Sequence, residues 1–300
     1  MTSVPLRRPR RPRGRRGSGR TDKVGYALVA PAIVLTTVFF FVPMVLSLYW
    51  SFNDYNGLQP PQWVGAANYT DLARDPSFRH AVKNTVVFTL VTMLIGPALG
   101  LGSALLLNRN IPVRGFFRSV FFLPVTLSLV VVGTLWKTVL AENGLFNHGL
   151  ALLGISGRAW LDDPSTSLAA VSLASIWQGF GFETVIFLAA LQTISQDLYE
   201  AARMDGAGRF QSFLAVTLPS LRPTLFFVYV VGVIGAFQAF DQMYVMTSGG
   251  PLESTTTVVF YLVQRFQAFD LGHASAAAYL LVVVLAVVSA VQLRLSKRLS

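Results

Sequence analysis

The side chains that could do chemistry here are a few polar groups set in long apolar stretches. Glu183 lies within the stretch 168–191, and Asp241 lies near the end of the stretch 221–243. Carboxylates are costly in such surroundings and normally face a protein interior or water. Carboxylate, amide and aromatic groups together suit a hydroxyl-rich solute. The candidate residues for a solute pathway are Trp177, Gln178, Glu183, Gln238, Asp241 and Tyr244.

A plainer role for these polar residues stays open, because polar side chains also serve as contacts between neighbouring helices. Gln178 and Trp177 come five and six residues before Glu183. Gln238 lies three residues before Asp241, a spacing that predicts one shared helix face. The sequence therefore predicts two polar groups of side chains, each able to line a pathway or to join helices.

The residues needed for most catalytic chemistry are missing. The sequence has no cysteine, and His80, His148 and His273 are widely scattered. Thiolate nucleophiles and Cys-ligated zinc are therefore excluded, and the histidines predict no metal site. The sequence has no Gly-Lys-Ser/Thr motif and, outside the N-terminal tail, no Gly-x-Ser-x-Gly motif. We expect no catalytic residue, no metal and no cofactor, so any energy from ATP must come through a partner.

The elements that position these groups are predicted to be membrane-spanning helices. The chain is 53% hydrophobic and 13% charged. This balance is typical of membrane proteins and unlike that of disordered ones. About 20 apolar residues cross a bilayer as a helix, and Gly96, Gly100 and Ala104 predict a close helix contact in the second stretch. We expect an all-α membrane protein whose six transmembrane helices lie near 25–48, 86–107, 117–140, 168–191, 221–243 and 274–293.

The net charge of +10 is concentrated in an N-terminal tail. Residues 1–23 hold nine of the 24 basic residues among Pro, Gly and Ser, which predicts a disordered cytoplasmic tail. Binding of anionic lipid or of nucleic acid by this tail is less favoured. The segments on the N-terminal side of the membrane would hold 18 basic residues and the opposite segments six, which places both termini in the cytoplasm.

The segment between the fourth and fifth stretches has the features of a docking element. Ser195 can cap a short helix with Asp197 near its positive end. Gly206 and Gly208 permit the positive φ that a reversal of the chain requires, and Pro219 marks the return to an apolar helix. These features predict two short helices around a glycine turn, which an ordinary surface loop does not need.

This segment resembles the EAA motif of binding-protein-dependent ABC importer permeases. Val216 stands where that family usually has Ile. The matching residues are Glu200, Ala201, Ala202, Asp205, Gly206, Leu218 and Pro219. Further matches, to the first membrane subunit of maltose and glycerol-3-phosphate importers, are Ser51-Phe52-Asn53-Asp54-Tyr55, Gly115-Phe116-Phe117-Arg118, Phe121-Phe122-Leu123-Pro124, Phe240-Asp241, Thr247-Ser248-Gly249-Gly250-Pro251 and Phe269-Asp270-Leu271-Gly272.

The resemblance implies a permease domain over residues 24–300, with the EAA loop at about 195–219. In that family this loop docks on a cytoplasmic ATPase, so Glu200 inherits a charged contact there and Gly206 the turn. The implied partners are a second permease subunit, an ATPase dimer that binds the ATP, and an extracytoplasmic sugar-binding protein. The implied function is import of a sugar across the inner membrane, and the protein is not expected to be an enzyme.

Other functions remain as alternatives. The solute could be a sugar phosphate or a polyol such as glycerol 3-phosphate. A stand-alone channel or secondary transporter is disfavoured, because such proteins tend to show inverted repeats or charged relays through the spans. An intramembrane enzyme would need a nucleophile and base or a metal site. Neither of the last two classes requires a docking loop.

Overall fold

The computed structural model describes residues 19–109 and 112–299, which are largely helical. Two π-helical turns, Thr37–Phe41 and Phe213–Thr217, join neighbouring helices. The helices are α1 (Gly19–Thr36), α2 (Val42–Trp50), α3 (Ala67–Arg74), α4 (Pro76–Leu107), α5 (Arg114–Thr126), α6 (Leu129–Val139), α7 (Leu145–Leu152), α8 (Ser167–Gln192), α9 (Gln196–Met204), α10 (Arg209–Ser212), α11 (Leu218–Ser220), α12 (Arg222–Phe237), α13 (Asp241–Thr247), α14 (Val258–Gln267) and α15 (Leu271–Leu299).

The chain divides into two compact units, Met1–Tyr49 and Trp50–Ser300. The helix of the first unit runs from α1 through the first π-helical turn into α2, and Tyr26–Trp50 is long and apolar enough to cross a membrane. The predicted disordered tail lies outside the described residues as far as position 18. From Gly19 onward the chain is helical, so the helix begins inside the predicted tail.

In the second unit, α4, α8 and the segment Leu271–Ser296 of α15 are each long and apolar enough to cross a membrane. Two further pairs of helices qualify only if each bent pair counts as one span: α5 with α6, bent by 102°, and Arg209–Ser220 with α12, bent by 63°. The described chain therefore has between four and six candidate spans. The second unbroken helix begins at Pro76, ten residues before the predicted boundary, because Asp75 caps it and Pro76 suits its first turn.

The prediction of one continuous helix over 117–140 is wrong. Leu127 is extended, with ψ 144°, and the hydroxyl of Ser128 accepts a hydrogen bond from the N–H of Val131 at 3.3 Å. A side-chain cap of this kind starts a new helix. Pro124 in the preceding turn weakens the helix before the break.

The stretch 221–243 is also interrupted. Helix α12 ends at Phe237, and a new helix begins at Asp241 after three residues that are not helical. The carbonyl of Ala239 in this break accepts a hydrogen bond from the Thr257 hydroxyl at 2.8 Å. Non-helical backbone at membrane depth is tolerated where it is buried in protein or lines a cavity.

Two of the motifs identified in the sequence contact each other beside a short antiparallel pair of strands. Strand β1 (Asn53–Asp54) pairs with β2 (Gln62–Trp63), with Asn53 opposite Trp63. The carbonyl of Tyr55 accepts hydrogen bonds from the N–H groups of Leu271 and Gly272. A Cβ at Gly272 would collide with the carbonyl oxygen of Asn53. The two motifs therefore form one packed contact at the start of α15.

Two clusters of buried apolar residues hold α4 and α8 together at separate levels. One contains Phe88 of α4 with Val171 and Ala174 of α8. The other contains Leu107 of α4 with Phe187 of α8. Between these levels the two helices carry polar residues and glycines, and there they border a cavity.

Candidate functional site

A cavity of about 510 Å3 lies among the helices of the second unit. This volume falls within the range of about 300–1,000 Å3 that is usual for ligand sites. Its wall is mainly apolar and aromatic, with contributions from α4, α5, α6, α8, α12 and α13. The polar side chains that line it are Thr92, Ser175, Gln178, Glu183, Gln238, Asp241 and Gln242.

Glu183 occupies the closest approach of α8 to α4. A Cβ at Gly100 would lie 2.7 Å from the Cβ of Glu183, and a Cβ at Gly96 would lie 3.2 Å from its Oε2 atom. The predicted close helix contact at these glycines is therefore confirmed, and the residue opposite them is the carboxylate. Glu183 is only 9% exposed, and its Oε2 atom has no hydrogen-bond partner among the described residues.

Gln178 links the cavity wall to the break between α5 and α6. Its Nε2 donates to the carbonyl of Leu127 at 3.2 Å, so it satisfies the backbone at that break. Its Oε1 accepts a hydrogen bond from the Nε2 of Gln242 at 3.2 Å. These two bonds fix the orientation of both amide groups on the cavity wall.

The break between α12 and α13 also faces the cavity. Gln238 and Asp241 both line it, but they do not share one helix face as their spacing predicts. Gln238 caps the end of α12, Phe240 has φ −140°, and Asp241 starts α13. Tertiary contacts at the break, including the Thr257 bond to the backbone, override the helical periodicity.

Two of the six predicted pathway residues lie outside the cavity lining. The Trp177 ring packs edge-on against Trp136 with a centroid distance of 5.8 Å. The Tyr244 ring stacks on Phe240 at 5.3 Å, and this tyrosine is half exposed. The other four, Gln178, Glu183, Gln238 and Asp241, line the same cavity.

Sequence reasoning missed three polar residues of this cavity, Thr92, Ser175 and Gln242. Ser175 lies four residues before Gly179 and eight before Glu183, so helical spacing from the carboxylate was a signal for it. Gln242 is 8% exposed and directly follows Asp241. Only the break in the helix places its side chain against Gln178.

The segment Ser195–Pro219 forms two short helices around a glycine turn, as predicted. The Ser195 hydroxyl accepts a hydrogen bond from the N–H of Asp197 at the start of α9. At the other end Gly206 has φ +81°, and the N–H groups of Gly206 and Ala207 bond to the carbonyls of Arg203 and Ala202. This is a Schellman motif, which ends a helix with a residue in the left-handed region.

The predicted positive φ at Gly208 is wrong. Gly208 has φ −69° and serves as the N-cap of α10, where its N–H donates to Oε1 of Gln211 at 2.8 Å. One left-handed residue is enough to end α9, because the following residues bond back to the helix. The turn therefore depends on Gly206 alone.

The residues of this segment that match the EAA motif are largely exposed. Glu200, Ala201, Asp205 and Gly206 are exposed, while Ala202, Leu218 and Pro219 are half-buried. The Tyr199 hydroxyl lies 3.0 Å from the Thr217 hydroxyl and fastens α9 to the second π-helical turn. Met204 is 89% exposed and Phe210 73%, so the segment presents apolar side chains as well as charge.

A polar cluster joins α4, α14 and α15 at one end. Arg265 Nη2 lies 2.6 Å from Asp75 Oδ2, and the Tyr261 hydroxyl donates to the same oxygen at 2.6 Å. Burial alone would raise the pKa of Asp75, but the hydrogen bonds from Tyr261 and Ser77 and the charge of Arg265 lower it overall. This cluster lies outside the candidate sites identified in the sequence.

Among the side chains described, those of 26–109 and 112–296, no group of three or more His, Asp or Glu residues could hold a metal ion. His148 Nδ1 contacts the carbonyl of Gly144 at 2.9 Å, and His273 Nδ1 contacts Asp270 Oδ1 at 2.8 Å.

Comparison with known sequences identifies a family. The family described as "Binding-protein-dependent transport system inner membrane component" matches residues 96–300. The chain is 37% identical to the sulfoquinovosyl glycerol transport system permease protein SmoG of Agrobacterium fabrum, over 89% of this chain and 88% of that protein. It is 32% identical to the trehalose/maltose transport system permease protein MalF of Thermococcus litoralis, over 93% of this chain and 95% of that protein.

Comparison with solved structures gives the same fold. A chain of a bacterial alginate ABC transporter, solved in complex with an alginate pentasaccharide-bound periplasmic protein, superposes with a TM-score of 0.82. The two chains are 25% identical, and the match covers 93% of this chain and 96% of that one.

Proposed function

The chain belongs to the family of binding-protein-dependent transport system inner membrane components, and from this premise we propose that it is a permease subunit of an ATP-driven sugar importer. The carbohydrates named for the similar proteins support the sugar class. The solutes named for them differ from one another, so similarity alone leaves the individual sugar open. The observation that carries the proposal is a ligand-sized cavity placed where two candidate spans are broken.

We propose six spans with both termini in the cytoplasm. The count requires that each bent pair crosses the membrane once, as broken helices do when they line a cavity. The distribution of basic residues, 18 against six, supports the orientation. In this arrangement residues 1–23 are a cytoplasmic tail, residues 24–300 form the permease domain, and the EAA loop between spans four and five faces the ATPase.

The EAA loop is proposed to couple the permease to its ATPase. Glu200 is exposed and forms no ion pair with the side chains described in 26–109 and 112–296, so its charge is available to a partner. The exposed Met204 and Phe210 add apolar area that docking would bury. The Schellman motif and the Tyr199–Thr217 contact hold these side chains in a defined geometry.

The proposed assembly contains a second permease subunit, an ATPase dimer and an extracytoplasmic sugar-binding protein. The family description and the periplasmic protein in the alginate transporter complex support the binding-protein partner. The sequence has no phosphate-binding loop, so ATP would be bound by the ATPase, and we propose no cofactor for this subunit. We propose no nucleic acid partner for the Arg-rich tail.

The substrate pathway is proposed to run through the cavity. Gln178, Glu183, Gln238 and Asp241 line it, and Phe180, Phe182 and Phe240 add aromatic faces. Amide and carboxylate groups can bond sugar hydroxyls, while aromatic rings pack against the apolar faces of a sugar ring. Trp177 and Tyr244 are left out because neither lines the cavity.

The test replaces Gln238 or Asp241 with Ala in the complete complex, reconstituted in liposomes with its binding protein. Uptake of the labelled saccharide captured by that protein should fall about 3- to 10-fold for each lost hydrogen bond, while the complex still assembles. Gln267→Ala removes an exposed amide from α14 outside the cavity and should leave uptake unchanged. Wild-type transport kinetics in both cavity variants would refute the substrate role.

A further inference from the structure

The cavity has charged groups of one sign only. Glu183 and Asp241 both line it, and among the described residues of its lining there is no Lys, Arg or His. No ion pair joins either carboxylate to a side chain of 26–109 or 112–296, the part of the chain whose side chains are described. A cleft lined by one sign of charge, with apolar walls, focuses the electrostatic potential and attracts solutes of opposite sign.

The hydroxyl donors on the wall are engaged within the protein, and Gln178 and Gln242 each use one of their two N–H donors. The Ser175 hydroxyl donates to the carbonyl of Val171 at 3.0 Å, and the Thr92 hydroxyl donates to that of Phe88 at 2.8 Å. Gln178 and Gln242 each donate within the bonded chain that ends on the Leu127 carbonyl.

The two carboxylates leave open hydrogen-bond acceptors on the wall. Glu183 Oε2 is buried without a partner in the described chain, beside the glycines of α4. An ionised carboxylate only accepts hydrogen bonds. A ligand rich in donors, such as a polyol or an amine, can bond these acceptors, whereas a carboxylate, sulfonate or phosphate meets carboxylates of like charge.

From the charge of its lining, we propose that this cavity admits uncharged or amine-bearing saccharides and rejects anionic ones, with Glu183 and Asp241 as the specificity-determining residues. The proposal rests on the proposed function and narrows its substrate class. It sets aside the sugar-phosphate alternative.

The sign of the electrostatic potential in the cavity can be measured without knowing the sugar. The chain has no cysteine, so a single introduced thiol reports on one position. Ser175→Cys places one thiol on the cavity wall, on the helix face of α8 that carries Glu183. The nucleotide-free complex, assembled with cysteine-free partners, is treated with a cationic trimethylammonium or an anionic sulfonate methanethiosulfonate reagent. The ratio of the two rates is divided by the same ratio for 2-mercaptoethanol.

We expect the normalised ratio to favour the cationic reagent by about tenfold or more, as electrostatic focusing does in charged clefts. Glu183→Gln and Asp241→Asn, each made in the Ser175→Cys background, should move the ratio toward one. Using both variants keeps the test decisive if one of them fails to assemble. Glu253→Gln removes a carboxylate from an exposed residue outside the cavity and should leave the ratio unchanged.

Equal normalised rates for the two reagents, or a preference for the anionic one, would overturn the proposal. Absence of reaction with either reagent would also overturn it, because a cavity closed to small solutes cannot select among them. A ratio that does not respond to Glu183→Gln and Asp241→Asn would remove their assigned role. The proposed function is measured separately, by ATP-driven uptake. If no saccharide were taken up while the reagent ratio still favoured the cationic reagent, the importer proposal would fail and the cavity proposal would stand.

Discussion

The loop Ser195–Pro219 and the cavity are built in opposite ways. The loop is a continuous stretch whose turn is made by bonds between near neighbours, such as Ala207 N–H to the Ala202 carbonyl. The cavity is assembled from six helices, and its two carboxylates, Glu183 and Asp241, are 58 positions apart in the chain. The motif residues of the loop are mostly exposed, whereas Glu183 is buried against the glycines of α4.

This difference shows which kind of site a sequence pattern can specify. Local hydrogen bonds depend on residue types at fixed short spacing, so the cap at Ser195 and the turn at Gly206 follow from the pattern. Contacts across helices depend on where each helix breaks and turns. We therefore expect substitutions in the loop to act through local backbone geometry, and those at the cavity to act through packing between helices.

The largest effect is expected at the turn of the loop. Gly206→Val should abolish ATP-driven uptake, because Gly206 has φ +81°. A β-branched residue in that conformation carries strain of about 1–3 kcal/mol, which would misplace Glu200. A Cβ at this position meets no atom within 4 Å, so the strain comes from the backbone and not from a collision. The measurement is uptake together with coupled ATPase activity in purified complexes.

The matched control for that change is Gly208→Ala. Gly208 has φ −69°, and the nearest atom to an added Cβ would be Gln211 Oε1 at 3.8 Å. Uptake should stay close to wild type. Wild-type coupled ATPase activity in Gly206→Val would contradict the docking role of the loop.

At the cavity, Gly100→Ala should destabilise the contact between α4 and α8. The new Cβ would lie 2.7 Å from the Cβ of Glu183. Such overpacking costs about 1–3 kcal/mol, and a lower midpoint of thermal unfolding for the purified complex would report this cost. Gly102→Ala is the control, because a Cβ there meets nothing within 4 Å and alanine favours the helix. Equal stability of the two variants would argue against close packing at Gly100.

A smaller effect is expected from a substitution that loosens α9 but leaves the charges of the loop unchanged. Tyr199→Phe removes the contact with the Thr217 hydroxyl. A hydrogen bond of this kind contributes about 0.5–1.5 kcal/mol, here to holding α9 in place. We expect a several-fold loss of coupled ATPase activity and unchanged assembly. A loss as complete as that of Gly206→Val would mean that this hydrogen bond, more than the turn, sets the position of α9.

The polar cluster at Asp75 differs from both the loop and the cavity. Its residues are far apart in sequence, as in the cavity, but they are only partly buried. Burial opposes ionisation, but the hydrogen bonds from Tyr261 and Ser77 and the charge of Arg265 hold the pKa of Asp75 below its ordinary value of 3.8. A carboxyl whose pKa is lower when folded stabilises the fold above the unfolded pKa, and this contribution is lost as the pH falls through the folded pKa.

The unfolding midpoint should therefore fall as the pH is lowered below about 4, and it should fall less in Asp75→Asn. The effect is expected to be the smallest of the series, because the partner Arg265 is partly exposed and solvent screens the pair. An unchanged pH dependence in Asp75→Asn would mean that ionisation of Asp75 does not stabilise the fold.

Several features of the fold could be predicted from the types and spacing of neighbouring residues. The apolar stretch around Glu183 becomes α8 almost as predicted, since a long apolar run without proline forms a helix in a membrane. The contact at Gly96 and Gly100 was likewise predicted from small residues at helical spacing. The sequence did not predict that Glu183 lies opposite these glycines, because sequence spacing does not show which residue of another helix faces a glycine.

The sequence by itself determined the membrane class, the family resemblance, the Ser195 cap, the turn at Gly206 and four of the seven polar residues that line the cavity. Only the tertiary structure decided that the stretches 117–140 and 221–243 are broken, that Gln242 joins Gln178, and that Trp177 and Tyr244 pack elsewhere. The breaks depend on distant partners that satisfy the freed backbone, such as Gln178 for Leu127 and Thr257 for Ala239. Such partners are set by helix packing, which residue types at short spacing do not encode.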